Sequence, residues 1–256
     1  MQDETAVLEA ELRYHEKLYS GFAQSHFARP AVRALRRHMA GRIFRLTGID
    51  SASRVLSLGC GIGDTELLLA PYVAEITGVD LSPSAVRQAC ADAESMGIAN
   101  AHFIEGTSSA ARGRFDAVVA IFFLHHLTDR ALAELPSQIA GLLKPSGVFY
   151  SLDPSVRRLS GAIGRRFIPK LMKKYQTENE RELASEATAD LFRRSGFDAR
   201  CEMYDFGSSP LAGLLPGWRV GYQMARWADD WLLQAAPLRA LGSNFEIIAR
   251  RFDERQ

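Results

Sequence analysis

The stretch Arg54–Asp80, RVLSLGCGIGDTELLLAPYVAEITGVD, constrains this chain more than any other. An apolar run (Val55, Leu56, Leu58) stops at three glycines spaced two apart, Gly59, Gly61 and Gly63. A helical stretch follows, then a second β-like run, Ile76–Val79, which ends on Asp80. Glycines let a backbone turn sharply and approach a ligand closely. The helix N-terminus behind them offers N–H groups to an anionic group. An acid closing the next strand accepts hydrogen bonds from ribose hydroxyls. The unit therefore reads as a nucleoside-cofactor site. Its GxGxG spacing differs from the dinucleotide GxGxxG: a pyrophosphate needs an open helix N-terminus, whereas an amino-acid carboxylate and a sulfonium lie along the glycine backbone.

The strand–helix alternation from Arg54 to Asp153 demands a parallel sheet with right-handed crossovers. Ser82-Pro83 supply an N-cap and a first-turn proline, and Gly97 closes that helix. A third strand is expected near Ala101–Ile104, a helix over about Glu186–Arg194 closed by Gly196, and a sixth strand near Asp198–Tyr204. Residues 4–45 read as helices, with Leu8, Leu12, His15, Tyr19 and Phe22 recurring at three or four and Pro30 restarting a basic helix. The 256 residues, 47% of them apolar, suit one domain with insertions. A net charge of +1 gives no global attraction to nucleic acid. Three widely spaced cysteines favour neither a disulfide framework nor a metal site, and Cys60 reads as a small filler of the turn. With no secretory signal and no membrane-spanning apolar run, a cytoplasmic protein is expected.

Further along stand FDAVVAIFFLHHL (115–127), LLKPSGVFYSLDP (142–154) and NFEIIARR (244–251). Together with VLSLGCGIG and GVDLSPSAVRQA, these segments resemble, in order, the motifs of the class I S-adenosylmethionine-dependent methyltransferases. The resemblance implies a doubly wound, Rossmann-like α/β fold with a seven-stranded, mostly parallel sheet, its last strand antiparallel, plus helical cap insertions. It implies S-adenosylmethionine as cofactor and S-adenosylhomocysteine as product. By the same resemblance Gly59, Cys60, Gly61 and Gly63 lie along the methionine part, Asp80 holds the ribose and Leu81 packs on the adenine. Thr107 and Ser108 edge the adenine, while Ile121 and Phe122 approach the methionyl amino group and methyl. Tyr19, on helices that fold over the cofactor in related enzymes, covers the carboxylate. Two positions depart from the family pattern: Ser57 stands where an acid often precedes the first glycine, and Thr107 where an acid often reaches the adenine.

Residues 1–45 would form a helical cap on a single domain spanning 1–256, and residues 154–184 and 207–243 helical insertions forming a substrate lid. They should sit above the strands' carboxyl ends, where open α/β sheets bind ligands. The first insertion carries Arg157, Arg158, Arg165, Arg166, Lys170, Lys173 and Lys174 with no acid among them. It reads as a solvated face balanced by the following ENERE, or as attraction to an anionic substrate or membrane. In the second, Val220, Met224, Trp227 and Trp231 recur at helical spacing, which reads first as core packing and second as a binding surface. An apolar or lipid-like acceptor with peripheral membrane contact follows as an expectation. Methyl transfer needs alignment above all, and a base only for a protonated acceptor. His126, His125 and His15 are the candidate bases, because imidazole titrates near neutrality; Tyr14 and His26 lie on the same N-terminal helices. No Asn/Asp-Pro-Pro-aromatic tetrad suggests a flipped base, so no nucleic acid is expected. The alternatives are an NAD-dependent oxidoreductase and a non-catalytic cofactor-binding or membrane-peripheral protein.

Overall fold

The computed structural model describes residues 12, 13, 16, 19, 26–161 and 182–252. Its frame is a sheet of β1 (Arg54–Leu58), β2 (Glu75–Asp80), β3 (Ala101–Glu105), β4 (Phe115–Ile121), β5 (Leu143–Pro154), β6 (Phe197–Asp205) and β7 (Asn244–Arg251). The strand order is β3-β2-β1-β4-β5-β7-β6. The first five strands run parallel, and β7 lies between β5 and β6, antiparallel to both. This is the expected sheet. Its chain order reverses between β1 and β4, which opens a crevice at the strands' carboxyl ends.

Both faces of the sheet are covered. On one lie α1 (Pro30–Thr47) and α3 (Pro83–Ser95), whose Leu35, Met39, Ile43, Val86 and Ala89 join Val55, Ile76 and Val119 in one core. On the other lie α4 (Asp129–Leu142) and α5 (Ser185–Arg194), whose Leu135, Ile139 and Phe192 pack with Leu56, Val118 and Phe149. Neighbouring strand residues serve opposite faces, so centre strands buried on both sides need nearly unbroken apolar runs; Ala117–Ala120 is one, wholly buried. The expected helix signals operate. The Ser82 hydroxyl accepts from the Ala85 N–H at 3.1 Å, and Gly97 and Gly196 end their helices in left-handed conformation. Glu246 of β7, fully buried, is paired by Arg42 of α1 and accepts a 2.6 Å bond from the Tyr150 hydroxyl, which ties α1 to the sheet.

The second insertion forms α6 (Ser208–Leu214), α7 (Arg219–Leu232) and α8 (Ala236–Arg239), the α2 label belonging to the short helix Glu66–Leu69. Here the primary expectation is overturned. Val220, Met224, Trp227 and Trp231 do not pack into the core; they are 60%, 63%, 66% and 62% exposed. The helix instead turns Gly221, Tyr222, Arg226 and Asp229 inward. Periodicity shows that a helix has two faces, but polar bonding chose which of them faces the protein. The Asp229 carboxylate accepts from the backbone N–H groups of Gly207 and Ser208 at 3.0 and 2.9 Å, at the start of α6. Arg226 donates to the Tyr204 carbonyl at 2.9 Å and to Asp230 at 2.8 Å. Arg165, Arg166 and the three lysines of the first insertion lie outside the described residues.

Candidate active site

A cavity of about 610 Å³ occupies the crevice. The glycine turn forms part of its lining. Gly59 and Gly61 both adopt positive φ, 65° and 53°, a conformation that an L side chain resists. A Cβ on Gly59 would come within 2.6 Å of the Phe123 ring, and one on Gly61 within 2.6 Å of the Tyr19 hydroxyl. Asp80 holds the turn from β2: one carboxylate oxygen accepts from the Gly61 N–H at 2.7 Å and the other from the Ser82 N–H at 2.9 Å. Each oxygen keeps a further lone pair for a hydroxyl facing the cavity.

The sequence-expected residues separate into three groups. Gly59, Cys60, Gly61, Asp80, Leu81, Thr107, Ser108, Ile121, Phe122, Tyr19 and His126 all line the cavity. Gly63 does not; its Cα is covered by the Phe103 ring and Ala89, so its glycine serves packing beneath the turn. His125 is also absent from the wall: it is 4% exposed, and its Nδ1 lies 2.9 Å from the buried Asp153 carboxylate. Its ring stands 4.1 Å from that of His126 and so backs it. His15 and Tyr14 lie outside the described residues, whereas His26 lines the cavity. Among the described residues no cluster of histidine, cysteine and acid could hold a metal.

Local chemistry refines these assignments. Burial raises the Cys60 thiol well above its usual range, in keeping with a filler rather than a nucleophile. Burial, then the Asp80 charge, raises the Tyr19 hydroxyl too, so it stays protonated. Burial, followed by Arg36 and Arg29, lowers His26, which leaves it neutral at pH 7. Thr107 accepts from the Ser109 N–H at 3.4 Å and caps a short 3₁₀ turn over 108–110. Phe122 takes a positive φ of 53° at the end of β4, a strained conformation for an aromatic residue that aims it into the crevice.

Arg36 and Glu66 are two of the wall residues that escaped the sequence reading. Arg36 of α1 stands between aromatic rings, its guanidinium 5.1 Å from the Phe27 centroid and 5.9 Å from that of Phe122. It bridges Asp64 at 2.9 Å. Glu66, the first residue of α2, is 3% exposed and accepts a 2.6 Å bond from the Ser57 hydroxyl. Its other oxygen, Oε2, is buried with no hydrogen-bond partner among the described residues. Burial pushes its pKa up to about 7 against the opposing Ser57 bond. A carboxyl group thus stands beside Ser57, reached from the helix rather than from β1.

Comparison with known proteins agrees with this geometry. The methyltransferase-domain family model matches residues 55–147. The uncharacterized methyltransferase YcgJ of Bacillus subtilis is 33% identical over 116 residues, 44% of this chain and 45% of that protein. The match thus spans about half the length of that relative. A ubiquinone biosynthesis O-methyltransferase of Methylocella silvestris is 29% identical over 78% of this chain and 81% of its own length. Among solved structures, magnesium protoporphyrin IX methyltransferase from Synechocystis PCC 6803, with bound SAH, superposes with a TM-score of 0.62 at 15% identity, covering 97% of this chain and 100% of that one.

Proposed function

We propose, from the premise that this chain is a class I S-adenosylmethionine-dependent methyltransferase by family, that it moves a methyl group to a hydroxyl of a small, largely apolar acceptor. The observation that carries the reading is the cavity's mixed lining. It joins the glycine turn and Asp80 with the apolar side chains of Phe27, Phe123, Leu127 and Leu135 and the His126 imidazole. The name of the Methylocella relative, an O-methyltransferase of ubiquinone biosynthesis, points to the same acceptor class.

The residues present fit the cofactor. The glycine turn presents bare backbone to the cavity, with Tyr19 and Phe123 lying close over it. The unpartnered, buried Oε2 of Glu66 awaits a cationic donor, and Arg36 offers a planar cation to a carboxylate. Glu66 would take the amino group, Arg36 and Tyr19 the carboxylate, Asp80 the ribose, and Leu81, Thr107 and Ser108 the adenine. The cofactor supplies a methyl on a sulfonium, with a neutral thioether as leaving group. What the protein contributes is alignment and exclusion of water, worth several kcal/mol. Phe122 and Phe123 would exclude water around an acceptor hydroxyl, and His126, on the same wall, would take its proton. His125, fixed by Asp153, keeps the His126 ring in place from behind.

Radiolabelled methyl transfer to a panel of phenols and catechols of graded apolarity tests the reading. Transfer that rises with the apolarity of the acceptor and falls by about 10²-fold or more in His126→Ala would support it. Cofactor binding without transfer to any hydroxyl acceptor would remove the acceptor assignment.

A further inference from the structure

The outward face of α7 takes no part in that reaction, yet it is built with care. Val220, Met224, Trp227 and Trp231 are each more than half exposed, and the two indoles meet edge to face at 6.2 Å. Leu214, Leu215 and Trp218, each about half exposed, precede the helix, and the Trp218 ring lies against Gly221. Two of the chain's three tryptophans, Trp227 and Trp231, therefore stand on the outward face. Surface of this kind marks a docking site. Its outward orientation is locked from beneath by the Asp229 and Arg226 bonds, so it is a specified feature rather than a loosely placed helix.

Charge selects the occupant. Helix α1 packs against α7, and its Ala31 N–H donates to the Pro216 carbonyl at 2.8 Å. Arg29, Arg33 and Arg37 are exposed at that end of the molecule, with Arg219 on α7 itself. No acid occurs from Lys17 to Ile49 or from Phe206 to Ala228, and the exposed Asp230 is engaged by Arg226. An aromatic and aliphatic centre beside a cationic flank is the pattern of a helix lying on anionic lipid. A second copy of the chain would instead bring the same arginines face to face across a two-fold axis, which like-charge repulsion disfavours. Gly213 of α6 and Arg36 of α1, which line the cavity, directly precede exposed Leu214 and Arg37 in the chain.

We propose that the α7 face seats this protein on an anionic lipid bilayer, and that the cavity draws its apolar acceptor from the lipid phase. The second clause rests on the acceptor reading above; the first stands on the surface alone. The test is sedimentation of the full chain with phosphatidylglycerol-containing vesicles, with phosphatidylcholine vesicles as control. Intrinsic fluorescence is read in parallel, because two of the three tryptophans belong to the face. Retention on anionic vesicles, a blue shift of emission and release by salt are expected. Trp227→Ser/Trp231→Ser and, independently, Arg33→Glu/Arg37→Glu should each cut retention by about tenfold or more. Both variants should bind S-adenosylhomocysteine as the parent does, which shows that they fold. Cofactor binding by the parent without retention on anionic vesicles would overturn the docking proposal and leave the proposed activity standing. Concentration-dependent dimerisation abolished by the tryptophan variant, with no vesicle binding, would give the face to a second copy and equally overturn it.

Discussion

A carboxyl group buried against a serine, with one oxygen unsatisfied, is costly in the empty protein and useful once a cation arrives. Burial raises Glu66 from 4.5 to about 7. A raised folded-state value means that the folded protein holds a proton the unfolded chain has lost between those pH values. The associated stability is present in full below pH 4.5 and is lost as pH rises through about 7, by about 3 kcal/mol in total. Asp64 and Arg36 face the same space with opposite charge. Glu66→Gln should therefore flatten the fall in melting temperature between pH 5 and 8. It should also weaken S-adenosylhomocysteine by about tenfold or more at pH 8, as expected for a charge-assisted hydrogen bond. Calorimetry in buffers of differing ionisation enthalpy should show proton release on binding near pH 7 in the parent and none in the variant. For His126→Ala, binding should be preserved and turnover lost, whereas His125→Ala should cost stability, about 1–3 kcal/mol, by removing the imidazole from the buried Asp153, which keeps only the backbone N–H of residue 125. At this scale Gly59, Gly61 and Asp80 were legible because backbone conformation and strand-end position follow from residue type. Glu66 and Arg36 were not, because a glutamate in a first helical turn and an arginine in a basic helix look the same in sequence whether they face solvent or a cavity.

Among the elements, α7 shows where pattern reading stops. Its apolar stripe was legible, but its direction depended on contacts of Asp229 with the start of α6 and of Arg226 with β6, segments adjacent in space rather than along the helix. Removing one partner of such a buried set leaves the others uncompensated. Asp229→Ala should lower stability by about 2–4 kcal/mol, read by denaturant unfolding, whereas Trp231→Ser on the outer face should change it by less than about 0.5 kcal/mol. A helix with its stripe packed inward would give the reverse ranking. The strand and helix limits came closer to expectation. β2, β3, α5 and β6 extend the expected spans by a residue or two at their ends, where strand pairing and caps decide the boundary.

For the molecule as a whole, strand alternation sufficed to predict the parallel part of the sheet, because crossover handedness leaves few other arrangements. The antiparallel last strand followed instead from the resemblance of NFEIIARR to the closing motif of the family. The walls above the crevice were less legible, since α1 and α6 reach it through tertiary contacts that no local pattern encodes. Arg42 and Glu246 join α1 to the antiparallel strand across the molecule. Arg42→Met, which leaves Glu246 buried and unpaired, should cost about 3–5 kcal/mol in unfolding experiments. The central claim is that the glycine turn and Asp80 together hold the adenosyl cofactor. Calorimetric titration with S-adenosylhomocysteine and with NAD, on the parent chain and on Asp80→Asn and Asp80→Ala variants with unchanged unfolding transitions, addresses it most directly. The account predicts binding of S-adenosylhomocysteine in preference to NAD, weakened at least about tenfold in both variants through loss of charge-assisted ribose bonds. Preference for NAD, or equal binding by parent and variants, would contradict it.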